Sequence, residues 1–479
     1  MISLAALLLL VVPVAPQPTN IVFVLADDLG YGDIGAFGQE KIQTPHLDRM
    51  AADGIVFSDF YAGSTVCAPS RCVLMTGKHT GHAWVRANGG SAAARTLPDS
   101  EVTVAEMLRE QGYATALMGK WGRGELGTEG VPTLQGFDTF FGYLNQGHAH
   151  NFYPPIIVQD DVEIPLANDE HPKWVERKAA MAARGHHPHP GTGFSQNQAQ
   201  YVPDLVADKV MDWVTTQARA DRPFFLYWAL NTPHANNERQ YVLGDGQEVP
   251  DYGVYEDRDW KNPDKGQAAM VTRLDRDLGR LLTRLRELGI EENTLVIFTS
   301  DNGHHREGGN NPEFFDANGP LRGKKRDLYE GGIRVPTIMW WPGTIEAGRR
   351  TDLPSSFADF FATAADVSGG ALPDDLDSIS VVPTLRGEVE HQEKHDHLYW
   401  EFYGQGSSQA VRFGPWKAVR KPMLTGPIEL YNLEEDLGET TDVAAVHPDQ
   451  VARATELMQQ SRTRSPHWRA PSEKKQSTP

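Results

Sequence analysis

Along the chain, continuously apolar runs alternate with amphipathic ones, and most of the apolar runs stop at a charged or amide side chain. Asn20 to Ala26 reads Asn-Ile-Val-Phe-Val-Leu-Ala, the pattern of a parallel strand buried on both faces. A short helix is predicted over 46–53, and a strand over Ile55 to Tyr61. Residues 101–111 have helical periodicity and precede a strand from Tyr113 to Met118. Asp204 to Thr216 is predicted helical, with a strand from Phe224 to Leu230 after it. Val271, Leu274, Leu278, Leu281, Leu285 and Leu288 place an apolar stripe on a long helix, and Leu295 to Thr299 form the strand that follows Gly289. Strands alternating with helices predict an α/β fold around a mostly parallel sheet.

After residue 375 the texture changes. Tyr399 to Tyr403, Gln409 to Phe413, Trp416 to Val419 and Ile428 to Asn432 are short aromatic and β-branched runs separated by Gly and Pro. They predict a smaller antiparallel sheet, followed by a helix over 449–460. The expected division is therefore residues 16–375 for the main domain and 376–479 for a C-terminal subdomain. Residues 1–15 carry an apolar run from Leu4 to Val12 ending near Pro13-Val14-Ala15, too short to span a bilayer and suited to a secretory signal. A buried first strand is the alternative. On the first reading the protein is exported, to a periplasm or the extracellular space, and no other stretch is apolar enough to cross a membrane.

Composition narrows the choice of partners. With 40% hydrophobic residues the 479-residue chain is globular, and its net charge of −19 argues against nucleic acid. In so acidic a chain, local cations mark an anion site. Only two cysteines occur, Cys67 and Cys72, so an exported chain would have no disulfide framework. Their spacing of five on one helix does not stack them face to face, and no disulfide is expected between them.

The candidate chemistry lies where strands end. Asp27, Asp28, Lys120, His234, Asp301 and Asn302 all fall at the C-terminal ends of predicted parallel strands, where open α/β sheets bind ligands. Cys67-Ala68-Pro69-Ser70-Arg71 reads as a helix start, which would set the group at position 67 before backbone N–H donors. Arg71 could add a charged fork for an oxyanion. Lys324, Lys325 and Arg326, in the loop Gly319 to Arg334, are further cations near this end; a solvated face is their alternative. Residues 185–199 are polar and breaker-rich, a loop with incidental histidines in preference to a metal tract. Asp27, Asp28, Asp301 and Asn302 offer hard oxygen ligands suited to calcium or magnesium. A thiol is too soft for that set, so Cys67 either stays outside the metal shell or becomes an oxygen-bearing group.

The stretch Cys67-Ala68-Pro69-Ser70-Arg71 with Thr76-Gly77-Lys78 resembles the signature of the type I sulfatases. Ala26-Asp27-Asp28-Leu29-Gly30, Gly119-Lys120-Trp121, Thr232-Pro233-His234, Ser300-Asp301-Asn302-Gly303, and Lys325 before Tyr329-Glu330-Gly331-Gly332 follow in that family's order over nearly the whole chain. The resemblance implies an alkaline-phosphatase-like fold. It also implies conversion of Cys67 to formylglycine (3-oxoalanine) by a formylglycine-generating enzyme. Asp27, Asp28, Asp301 and Asn302 would hold one calcium ion per subunit together with the formylglycine hydrate at 67. Arg71 and Lys120 would steady the hydrate, while Lys325 and His234 would bind sulfate and assist the leaving oxygen. The implied activity is release of inorganic sulfate from a sulfated carbohydrate or aryl sulfate.

One departure stands out. Many members carry a histidine two residues after the lysine, as Lys-Trp-His, where this chain has Gly122. Gly147-His148-Ala149-His150 offers His148 or His150 as a replacement base, with functionless loop histidines as the alternative. Phe140, Phe152 and Tyr153 could line a sugar pocket, though core packing suits such residues better. Two rival functions remain open at this stage: a phosphomonoester or phosphonate ester hydrolase of the same fold, and a non-catalytic binder of sulfated glycans if Cys67 is unmodified.

Overall fold

The computed structural model describes residues 18–475; the expected signal at 1–15 lies outside them. A ten-stranded sheet runs in the order Arg349–Thr351, Ile55–Phe57, Thr337–Trp340, Thr294–Ser300, Asn20–Ala26, Phe224–Ala229, Ala114–Lys120, Thr139–Tyr143, Ile156–Gln159, Val162–Pro165. Its five central strands, from Thr294–Ser300 to Thr139–Tyr143, are mutually parallel. Four of them are apolar runs read from the sequence, Thr139–Tyr143 being the fifth; Phe224–Ala229 lies at their middle, and beside it runs Asn20–Ala26. That strand is buried throughout, and its side chains alternate between two cores, Ile21, Phe23 and Leu25 on one face and Val22, Val24 and Ala26 on the other. Helices Cys67–Thr76, Val104–Glu110 and Asp359–Ser368 cover the first face. Pro45–Asp53, Val202–Gln217 and Asn262–Glu287 cover the second. A sheet covered on both sides explains why its strands lack polar alternation.

Local chemistry shifts some boundaries. The helix expected from residue 101 starts at Val104, because Thr103 and Glu106 form a reciprocal capping box. The strand expected over Ile55 to Tyr61 is two strands: Ile55–Phe57 joins the large sheet, and Phe60–Tyr61 pairs with Ser355–Ser356. The break falls at Ser58-Asp59, where the Asp59 carboxylate takes ion pairs from Arg334 and Arg412 and Ser58 bonds Thr351. Residues 185–199 are largely loop, with a short strand at Ser195–Asn197.

Strands Leu398–Phe402, Ser408–Phe413, Trp416–Arg420 and Ile428–Asn432 form an antiparallel sheet, and helix Pro448–Gln460 packs on it through Ala454, Leu457 and Met458. This sheet is fastened to the large one by buried polar contacts. Trp400 Nε1 donates to Ala62 O at 2.9 Å, Arg412 pairs with Asp59 at 2.6 Å, and Lys417 Nζ meets Glu330 Oε1 at 2.7 Å. Tyr61 Oη also donates to Glu330, at 2.7 Å.

Burial alone would raise the pKa of Glu330, but Lys417, Arg334 and Arg412 outweigh it and hold the carboxyl down at about 2. A depressed carboxyl stabilises the fold above its unfolded pKa, and that stability is lost as pH falls towards 2. Urea midpoints should therefore drop progressively below about pH 4.5. Lys417→Met leaves Glu330 buried without its nearest cation and should cost about 3–5 kcal/mol at neutral pH. A loss below about 1 kcal/mol in urea unfolding would contradict this account of the seam.

Candidate active site

The loops that leave the central parallel strands converge. Asp27 and Asp28 follow Ala26, Asp301 and Asn302 follow Ser300, Lys120 ends its strand, and His234 lies just beyond Ala229. The backbone ties these ends together: Asp27 N donates to Thr232 O and Asp301 N to Ala26 O, both at 3.0 Å. Asp28 has φ of +68°, a left-handed conformation that Asp tolerates better than most residues. In that conformation its amide reaches Asp301 Oδ1 at 3.2 Å.

All four oxygen-bearing residues are fully buried. Lys120 Nζ lies 2.5 Å from Asp27 Oδ2, and Arg71 Nε donates to Asp301 Oδ2 at 2.9 Å. Arg71 also donates to Lys120 O at 2.8 Å, so it joins the cysteine helix to the strand end. On the other side Lys325 Nζ meets Asp28 Oδ2 at 2.6 Å and His234 Nε2 at 3.0 Å. Asn302 Nδ2 donates to Asp28 Oδ1 at 2.6 Å. The sequence-predicted Asp27, Asp28, Arg71, Lys120, His234, Asp301, Asn302 and Lys325 thus form one contiguous cluster.

Its electrostatics follow from crowding. Burial raises carboxyl pKa values, yet Lys120, His234 and Arg71 hold Asp27 well below the usual range. Asp301 goes the other way, pushed up to about 7 by burial and by the Asp27 charge. Burial and the Lys325 ammonium push His234 down to about 3, so its imidazole is neutral. Its Nδ1 faces Ala235 O at 2.7 Å, which assigns the proton to Nδ1 and leaves Nε2 towards Lys325. Lys325 stays protonated: burial disfavours its charge, but Asp28 and Glu307 outweigh burial.

Of the oxygens of Asp27, Asp28, Asp301 and Asn302, two, Asp27 Oδ1 and Asn302 Oδ1, are buried with no hydrogen-bond partner among the described residues. Buried oxygens without donors are costly unless a cation takes them. Donor atoms of Asp27, Asp28 and His234, and those of Asp27, Cys67 and Asp301, lie within 4.8 Å of one another. The set fits a hard cation. Another group, His79, His82 and Asp377, also brings donor atoms within 4.8 Å. Its imidazoles, however, stack at 4.4 Å and 25°, so their in-plane lone pairs do not converge on one point.

Cys67 is the first residue of helix Cys67–Thr76, buried, and both cysteines are free thiols. Two residues absent from the motifs hold it. Asn88 Nδ2 donates to Sγ at 3.3 Å while its Oδ1 accepts from Ala68 N at 2.9 Å, and Sγ donates to Gln146 Oε1 at 3.3 Å. Glu307 is a further unforeseen member, 3.6 Å from Lys325 Nζ and 3.8 Å from His234 Nε2.

The histidines singled out for the missing base separate. His148 faces away: its Nε2 meets Ile156 O at 2.9 Å, and its ring packs on Tyr143 and His189. His150 joins the cluster through His234, stacked on that ring at 4.7 Å and 10°, with Nδ1 3.3 Å from Glu238. Neither is among the hydrogen-bond partners of Cys67, which are Asn88 and Gln146. Phe140, Phe152 and Tyr153 are buried in the apolar cores, which is the packing alternative.

Among the described residues, no helix is long and apolar enough to cross a membrane. The sulfatase family model matches residues 19–370, and that of the N-sulphoglucosamine sulphohydrolase C-terminal region matches 323–464. Arylsulfatase A of Homo sapiens is 35% identical over 432 residues, covering 84% of this chain and 75% of that protein. N-acetylgalactosamine-6-sulfatase of Canis lupus familiaris is 34% identical over 384 residues, covering 78% and 67%. Among solved structures, Ps i-CgsB in complex with k-i-k-neocarrahexaose superposes with a TM-score of 0.76 at 27% identity, covering 96% of each chain. The phosphonate monoester hydrolase of Agrobacterium radiobacter shares the fold alone, with a TM-score of 0.61 at 21% identity over 92% of this chain and 95% of that one. The strand-end cluster and these matches agree: the chain belongs to the sulfatase family of the alkaline phosphatase superfamily, and is a sulfuric ester hydrolase.

Proposed function

We propose that the chain releases sulfate from a sulfated carbohydrate, using calcium and a formylglycine made from Cys67. The observation that carries this reading is the pair of unbonded oxygens, Asp27 Oδ1 and Asn302 Oδ1, in a cluster that also holds Asp28, Asp301 and Cys67. Asp27, Asp28, Asp301 and Asn302 would hold the ion, with the oxygen at position 67 completing the set. Calcium would supply Lewis-acid polarisation of the sulfate oxygens, and formylglycine an oxygen nucleophile in place of the soft thiol.

The rest falls to this chain's own side chains. Arg71 and Lys120 balance the carboxylates and keep Asp27 ionised for the ion, whose own charge would draw the proton off Asp301. Lys325 presents Nζ–H to a sulfate oxygen or to the departing alcohol oxygen, and the neutral His234, with Nε2 against the same ammonium, keeps it aimed. Three buried carboxylates face three cations, Lys120, Arg71 and Lys325. A divalent ion would make the site net positive and draw an anionic ester into a chain of net charge −19. A carbohydrate ester is favoured because the similar structure Ps i-CgsB was solved with a neocarrahexaose and the relative from Canis lupus familiaris is named for an N-acetylgalactosamine sulfate. In this reading residues 16–375 are the catalytic domain, 376–479 the C-terminal subdomain, and the run at Leu4 to Val12 an export signal. Maturation would need a formylglycine-generating enzyme.

Two outcomes test it. Removing divalent ions with EDTA should abolish hydrolysis of nitrophenyl sulfate, and calcium at about 100 times its dissociation constant should add about 2.7 kcal/mol of stability in a melting assay. Equal stability and activity with and without calcium would rule the ion out. In protein from a host competent for the modification, the peptide containing residue 67 should be lighter than its cysteine form, and sulfate esters should be cleaved faster than the matching phosphate esters. Lys325→Ala should then lower kcat/KM on the order of 10²–10³-fold. Faster phosphate cleavage, or an unmodified Cys67, would turn the assignment to one of the rivals.

A further inference from the structure

Gly122 leaves a space beside Cys67, and a side chain from another loop occupies it. Gly122 has φ of +76°, and a Cβ built there would lie 2.0 Å from Gln146 Nε2. The two positions exclude each other. Gln146 Oε1 accepts from Cys67 Sγ at 3.3 Å, while its buried Nε2 has no partner. Sγ here stands where an oxygen of the modified residue would be. The loop is held in place by Gly122 N donating to Leu144 O at 3.0 Å and by Asn145 Oδ1 accepting from Gly147 N and His148 N. On its outer side a cleft of about 270 Å³ opens, lined by Arg95, Thr96, Gly122, Glu125, Asn145 and Gln146. Gln146 therefore stands between that cleft and position 67.

We propose that Gln146 takes over the place vacated at Gly122 and orients the reacting group at position 67, as a non-titrating hydrogen-bond partner and not as a base. A carboxamide neither gains nor loses a proton near neutral pH, so it can accept a hydrogen bond from a hydroxyl at 67 and fix its rotamer without removing the proton. The proton must go to water or to another side chain. The Nε2 beside Gly122 has no hydrogen-bond partner among the described residues, which leaves it as a donor for an oxygen of the bound ester. This inference rests on the sulfatase reading of position 67.

Two measurements test it on the full-length protein, with conversion at residue 67 checked by peptide mass. The first reads stability alone. Gly122→Ala should lower the melting temperature by roughly 2 °C or more. Part of that loss should disappear in the Gly122→Ala/Gln146→Ala double variant, because the side chain that clashes is gone. Strictly additive shifts would overturn the placement of Gln146. The second is steady-state kinetics on nitrophenyl sulfate. Gln146→Ala should lower kcat on the order of 10- to 100-fold with KM changed less than about threefold, the pattern of lost orientation. His148→Ala should leave kcat within about twofold of wild type once its stability is accounted for. A Gln146→Ala enzyme with wild-type kcat would overturn the proposal and leave the sulfatase reading intact. A wild-type protein that cleaves no sulfate ester would defeat that reading, while the melting cycle would still report on Gln146.

Discussion

The structure depends on a balance of buried charge at the ends of five parallel strands. Asp27, Asp28 and Asp301 are each removed from water, which would be prohibitive for an isolated carboxylate. Each is matched: Asp27 by Lys120, Asp301 by Arg71, and Asp28 by Lys325. The matching cations come from separate parts of the chain, namely a central strand, the cysteine helix and a loop beyond residue 320. Folding must bring all of these together before any one carboxylate can be buried at acceptable cost. The cluster is thus a long-range constraint as well as a chemical site.

That constraint also explains which features could be read from the sequence. A strand buried on both faces has to be continuously apolar, so Asn20–Ala26, Phe224–Ala229 and Thr294–Ser300 announce themselves, and so do the charged groups that follow them. The cluster was legible because its members sit at fixed offsets from such strands. Asn88, Gln146 and Glu307 sit in loops with no periodic signal, and their partners are distant in sequence, so only the folded chain identifies them. The Gly147–His150 segment lies next to the residue that reaches Cys67, but that residue is Gln146. Histidine draws attention as a titrating group, yet His148 donates its Nε2–H to Ile156 O, and the amide two residues earlier faces Cys67. The split of the expected strand at Ser58-Asp59 was hidden in the same way, since its cause is Arg334 and Arg412.

The pairing of Gly122 with Gln146 is an exchange of material between two loops. A glycine at a left-handed φ has no Cβ to keep the place beside Cys67 filled, and dense packing does not tolerate a void there. A residue reaching in from a second loop restores contact with Sγ but changes the chemistry, because an amide can orient and cannot titrate. Whatever removes a proton in this protein must therefore do so from outside the position of the usual histidine.

The smaller sheet has a part in this site although none of its residues reaches the cluster. Lys325 belongs to the loop that continues into Tyr329-Glu330-Gly331-Gly332, and Glu330 is the point at which Lys417 of the small sheet takes hold. Gly331 O lies 1.9 Å from where a Cβ on Gly303 would be, so this loop packs without clearance against the segment that carries Asp301 and Asn302. The Glu330–Lys417 pair thus fixes one end of the loop and the Lys325–Asp28 pair the other. Weakening the seam would loosen Lys325 before it unfolded the large sheet. For that reason a C-terminal sheet that adds no residue to the cluster still helps to hold Lys325 in register with the strand ends.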